Sequence, residues 1–104
     1  MASWVKIGSV KDFETTNCIV VQIKDTEIAV FKIEERFYAI ENKCSHRAAP
    51  LSEGALMGME VRCPWHGAKF DLLSGKALCL PAREGLKVFS VRNTNNEIEI
   101  EVID

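Results

Sequence analysis

The chain has 104 residues, of which 47% are hydrophobic and 27% charged, with a formal net charge of −2. That length supports one domain with its own core, and the charge balance carries no basic footprint for nucleic acid. No apolar run approaches the ~18 residues of a membrane span, and Met1 to Lys6 lack the order of a secretory signal, so a cytoplasmic protein with no membrane partner and no anchor helix is expected.

Trp4-Val5-Lys6-Ile7 alternates and reads as a first strand. Val10 to Phe13 is the best candidate for a single helical turn. Cys18 to Ile23 is a β-branched run, Lys24-Asp25 a turn, and Glu27 to Ile33 the returning strand. Glu34-Glu35 turns again into Arg36 to Ile40. These connections have hairpin length, so the segment reads as a meander. The stretch from about residue 42 to 82 is different. It holds all three prolines, Pro50, Pro64 and Pro81, with Gly54, Gly58, Gly67 and Gly75. Such composition predicts a loop-built insertion, with short strands at Met59 to Arg62 and Ala68 to Asp71. Leu86 to Arg92 alternates again, Asn93 to Asn96 is a turn cluster, and Ile98 to Val102 alternates apolar with acidic. No window sustains helical periodicity. The expected fold is all-β: one β-sandwich or barrel over residues 1–104, with a small subdomain at about 42–82. Trp4, Phe13, Phe31, Phe37 and Phe89 are expected in the core, and Met57 and Met59 in core or hairpin. Glu97, Glu99 and Glu101 are expected on the wet face of an edge strand.

The chemistry-bearing residues lie in the loop-built segment. Cys44-Ser45-His46 and Cys63-Pro64-Trp65-His66 are separated by a spacer from Arg47 to Arg62. The chain's two histidines both stand beside cysteines at metal-ligand spacing, so Cys44, His46, Cys63 and His66 are the candidate ligands. Two thiolates and two imidazoles suit either an iron–sulfur centre or tetrahedral zinc. Against zinc, the C-x-H pair is tighter than usual zinc-finger spacing. The other cysteines, Cys18 and Cys79, lie in apolar runs and are expected as buried thiols packing as small hydrophobes; a Cys18–Cys79 disulfide is the competing reading. Four cysteines are too few for a secreted disulfide scaffold of this size, which points to a reducing compartment. No third histidine is left to act as a general base.

The ligand pattern, with Cys63-Pro64-Trp65-His66-Gly67, resembles the Rieske family of [2Fe–2S] proteins. His46 to Gly54, Cys63 to Asp71, Ser74-Gly75 and Leu86 to Phe89 resemble, more narrowly, the Rieske ferredoxins of bacterial aromatic-ring dioxygenase systems. The resemblance implies one [2Fe–2S] cluster, with Cys44 and Cys63 on one iron and His46 and His66 on the other. The histidine-bound iron would lie nearer solvent. Two thiolates neutralise an oxidised cluster that four would leave at −2, so the mixed set favours reduction. The resemblance further implies a one-electron carrier that takes electrons from a flavin-dependent NAD(P)H reductase, passes them to a terminal oxygenase and transforms no substrate itself. A monomer is expected. Alternatives are a Rieske-like subunit of a nitrite reductase system, a redox sensor and, last, a structural zinc module.

Departures from the high-potential members matter too. Their extra loop cysteines are replaced by Ala49 and Trp65, so the inter-loop disulfide cannot form. Their hydroxyl donors to cluster sulfurs are replaced by Ala68 and Phe70, which implies a potential toward the low end of the Rieske range. Gly67 permits close backbone approach to the cluster, Pro81 reads as a covering loop or a strand boundary, and Trp65 as loop packing or a cluster shield. Arg47, Lys43, Arg62, Lys69 and Arg83 are candidates for a basic docking rim.

Overall fold

Among the described residues, alternation resolves into ten strands and three antiparallel sheets. The computed structural model describes residues 2–43, 50–64, 68–78 and 85–103. The strands are β1 (Ala2–Ser9), β2 (Cys18–Ile23), β3 (Thr26–Ile33), β4 (Arg36–Glu41), β5 (Ala55–Met57), β6 (Glu60–Arg62), β7 (Lys69–Asp71), β8 (Val88–Phe89), β9 (Val91–Thr94) and β10 (Glu97–Ile103). Single 3-10 turns cover Val10–Phe13 and Leu51–Glu53. Among the described residues there is no α-helix, and no helix is long and apolar enough to cross a membrane.

The sheet orders are β1-β10-β9, β2-β3-β4-β8 and β5-β6-β7. The second sheet is the middle layer, and its sequence shows why. In β3 the run Ile28-Ala29-Val30-Phe31 is buried throughout, as a strand covered on both faces must be. Ile28 and Val30 join Phe13, Ala39, Ile98 and Ile100 in one core. Ala29 and Phe31 join Ile40, Leu51, Val61, Phe70 and Leu72 in another. Successive side chains point to opposite faces, so β3 supplies both cores, one against β10 and one against the small β5-β6-β7 sheet. The expected sandwich is therefore two cores sharing a middle sheet. The loop-built segment is the third layer and not an appendage.

The expected meander is present. Two-residue turns join β2 to β3 and β3 to β4, with Ile23 opposite Thr26 and Ile33 opposite Arg36. Asn95 and Asn96 both take positive φ, 53° and 68°, as a tight β9–β10 turn of the I′ type requires. The expected turn at Val10–Phe13 forms as well. Its buried Phe13 meets Phe37 edge-on, with ring centroids 5.0 Å apart.

Three expectations are corrected. The Leu86 to Arg92 stretch is two strands, because the chain changes sheets at Ser90: Phe89 pairs with Ala39 and Val91 with Ile100. The acidic stripe does not lie on an edge strand. β10 is central in its sheet, paired with β1 on one side and β9 on the other. Its wet face is instead laced by cross-strand ion pairs, Lys6–Glu97 at 3.2 Å and Arg92–Glu99 at 2.7 Å. Trp4 is not a core residue either. Period two places it with Lys6 on that outer face, half-buried, with the Arg92 guanidinium 4.1 Å above its ring. Met59 packs against a core while Met57 is exposed at the β5–β6 hairpin. The turn at Leu51–Glu53 and strand β5 were not anticipated, since each is a single turn or three residues with one inward side chain, too short for a period to register.

The two classes of position in β10 should separate sharply. Ile100→Ala deletes most of a fully buried side chain and is expected to cost about 2–5 kcal/mol. Glu97→Gln removes only an exposed ion pair and should cost under ~1 kcal/mol. Thermal unfolding of the two variants beside the parent checks the ordering.

Candidate metal centre

The second ligand loop grows out of the β6–β7 hairpin. Arg62 and Lys69 form the last strand pair. The Cys63 N–H then donates to the Ala68 carbonyl at 2.7 Å, closing the loop. Cys63 is a free thiol, only 2% exposed. It packs in the core of Val61, Ala68, Phe70 and Leu72. Ala68 and Phe70 are fully buried with it, so these two positions are dry and apolar.

The first ligand loop leaves the end of β4 and returns at the Leu51–Glu53 turn, anchored by the fully buried Leu51. Asn42 ties the two ends together. Its Nδ2 donates to Glu27 Oε1 at 2.7 Å, and its Oδ1 accepts from the Ser52 N–H at 2.7 Å. Gly54 then presses its backbone against the chain just before Cys63. A Cβ there would collide with the Arg62 carbonyl oxygen, so the position takes glycine for space rather than for φ. The two ligand loops are thereby in backbone contact at their roots.

A third connection, residues 79–84, starts from the same end. Leu78 N–H donates to the Lys69 carbonyl at 2.8 Å. The chain returns past Gly75, whose φ of 78° and closeness to the Leu86 carbonyl exclude a side chain. Lys87 then exchanges two bonds with Glu41, its N–H to Glu41 Oε1 at 3.0 Å and the Glu41 N–H to its carbonyl at 3.0 Å. Each of the three loops thus has a root fastened at the Arg62–Lys69 end of the hairpin or beside the first loop's origin.

Of the four candidate ligands, Cys63 is described. Cys44, His46 and His66 lie outside the described residues, as do Arg47, Ala49, Trp65, Gly67, Cys79, Pro81 and Arg83. Lys43 and Arg62 are exposed and Lys69 half-buried. The residues in view fit the cluster. A buried thiol outside any disulfide, in a closed loop whose partner loop is locked to it, suits a soft metal ligand shielded from water. Sequence reading missed Asn42 and Glu41. The signal was faint: a polar residue between an apolar strand and a ligand loop, with nothing in the pattern to say that it is buried.

Cys18 is free, so the disulfide reading falls, and it is half-buried rather than buried. Its Sγ lies against the core beside Phe31. Burial pushes its thiol pKa from 9.0 up to about 11. In a Cys79→Ser background with the metal centre intact, iodoacetamide should therefore label Cys18 about 100-fold more slowly at pH 8 than a free thiol. The rate should keep rising as pH approaches 11, as mass spectrometry of the adduct would show.

Comparison with known proteins places this architecture. The family pattern of the Rieske [2Fe-2S] domain matches residues 3–90. The ferredoxin component of the naphthalene 1,2-dioxygenase/salicylate 5-hydroxylase systems of Ralstonia sp is 33% identical over 100 residues, 96% of either chain. A chain in the solved complex of reduced oxygenase and oxidised ferredoxin of carbazole 1,9a-dioxygenase superposes with a TM-score of 0.86. It is 32% identical, and the match covers 93% of this chain and 91% of that one. A chain assigned as the small subunit of an NADH-dependent nitrite reductase from Mycobacterium tuberculosis shares the fold at a TM-score of 0.87, over 100% of this chain and 98% of that one. At 20% identity the likeness is to the fold alone. The chain belongs to the Rieske [2Fe–2S] domain family, with one [2Fe–2S] cluster per chain, and is a ferredoxin: an electron carrier and not itself an enzyme.

Proposed function

We propose that the whole chain, residues 1–104, is a monomeric cytoplasmic Rieske domain whose cluster is held by Cys44, His46, Cys63 and His66. It takes single electrons from a flavin-dependent NAD(P)H reductase and delivers them to a terminal hydroxylating oxygenase. The observation that carries this reading is Cys63, a buried free thiol in a hairpin loop closed by its own N–H. The loop pattern supplies the other three donors, and the part of the domain from about 42 to 82 supplies the frame.

When bound, the cluster provides one-electron redox chemistry at two irons. The chain's own residues do the rest. Val61, Ala68, Phe70 and Leu72 pack around Cys63 and keep water from its sulfur, which lowers the local dielectric and strengthens every charge interaction there. The locked loop roots limit how far the ligands shift between oxidation states. Lys43 and Arg62 lie exposed just outside Cys44 and Cys63, where a basic rim would favour an acidic partner surface. The names of the relatives favour oxygenase systems over nitrite reduction or sensing.

Iron and zinc analysis with EPR of the dithionite-reduced protein tests the assignment. About two irons per chain and a rhombic signal of low average g are expected. One zinc and a silent spectrum would overturn it. Reduction by a flavin reductase and NADH, followed by oxidation on adding an aromatic-ring oxygenase, tests the pathway; reduction without onward transfer to any such oxygenase would favour a sensor.

The potential should lie toward the low end of the Rieske range, because Ala68 and Phe70 offer no hydroxyl. Ala68→Ser places a donor beside Cys63 and should raise the midpoint by on the order of 50 mV, the equivalent of about 1 kcal/mol for one electron. Protein-film voltammetry decides, and a clearly positive parent potential near neutral pH would contradict the argument.

A further inference from the structure

Asn42 is only 6% exposed, a buried polar residue between a strand and a loop. Its backbone N–H donates to the Glu27 carbonyl at 2.9 Å. Its side chain bridges Glu27 Oε1 and the Ser52 N–H, each at 2.7 Å. A carboxylate only accepts and a backbone N–H only donates, so these two partners dictate which way round the amide sits. One side chain thus closes the span from residue 42 to 52, and that span contains Cys44 and His46. Asparagine carries the donor and the acceptor that these two partners require. Aspartate has the shape but no donor, and alanine leaves the Ser52 N–H without its acceptor.

We infer that Asn42 is a positioning residue for the metal centre. With Glu27 and Ser52 it fixes the separation and direction of the two ends of the first ligand loop, and through them how Cys44 and His46 meet the cluster. The inference rests on the ligand assignment proposed above. Glu27 reaches the loop from β3, the strand that serves both cores, so the first ligand loop is referenced to the most deeply buried element of the fold.

A double-mutant cycle on the cluster-loaded protein tests it. Asn42→Asp sets a second carboxylate against that of Glu27, two like charges at hydrogen-bond distance. Glu27→Gln alone keeps an acceptor for Asn42 and should lose its cluster more slowly than Asn42→Asp. Combined, the two substitutions restore one donor and one acceptor with the polarity reversed, at the parent's net charge. Two readouts are taken: the rate of cluster loss to a chelator, followed by visible absorbance, and the midpoint potential. Asn42→Asp should lose its cluster at least about tenfold faster and shift the potential. The double variant should return to within about twofold of the parent rate and recover the parent potential.

An unaffected Asn42→Asp variant overturns the inference, and so does a double variant that assembles or holds its cluster no better than Asn42→Asp alone. Potential shifts that merely add also overturn it, since they mark distant charges and no shared bond. Cys44→Ser and His46→Ala keep the two readings apart. Loss or alteration of the EPR signal in both is expected. An unaltered signal sinks the ligand assignment and this inference with it, whereas an altered signal beside an uncoupled cycle sinks this inference alone.

Discussion

The double burial of β3 is the constraint on which the rest of the structure depends. A strand covered on one face can leave its other face polar; β3 cannot, because β10 covers one side and the hairpin sheet the other. Each fully buried Ile, Val or Phe there contributes on the order of 1.5–3 kcal/mol relative to exposure. The consequence is functional. The layer that carries Cys63 is pressed onto the same strand that anchors both cores, so Cys63 shares a core with the scaffold.

The position of Cys63 follows from that arrangement. A hairpin buried on its inner face turns Val61, Cys63, Ala68 and Phe70 toward the core, while Arg62 and Pro64 are exposed. The period-two rule that makes the hairpin amphipathic therefore also aims a thiol inward. Nothing beyond strand alternation is needed to present it. What the hairpin cannot do alone is hold a second loop in register with it, and that task falls to the close approach of Gly54 to Arg62 and to the Asn42 side chain.

How much of this was legible in the sequence depends on length. The β2-β3-β4 meander was readable because each strand spans several periods and each turn has two residues. The Rieske family was readable because a metal site constrains residue type and spacing together. Strand β5 and the Leu51–Glu53 turn are shorter than the periodicity that would reveal them. The place of β10 in its sheet was misread for a different reason. Acidic residues at every second position report one wet face, and a central strand with one wet face carries the same pattern as an edge strand. The N-terminal strand that covers its free edge lies some ninety residues away in sequence, where no local pattern reaches. Trp4 was misassigned because size suggested burial, although its two-residue offset from Lys6 already placed it outside.

The ties around the loops differ in kind. Backbone bonds fasten the roots of all three loops, and at the first loop and the return of the third the side chains of Asn42 and Glu41 add bonds of their own. Backbone bonds survive almost any substitution, whereas side-chain bonds are open to change one residue at a time. The frame around Cys63, closed by a backbone bond, is therefore the half less open to substitution. The root of the first loop, held in part by the Asn42 side chain, is the half more open to change. On the ligand assignment proposed above, substitution at Asn42 would retune the first loop while the buried Cys63 stays fixed.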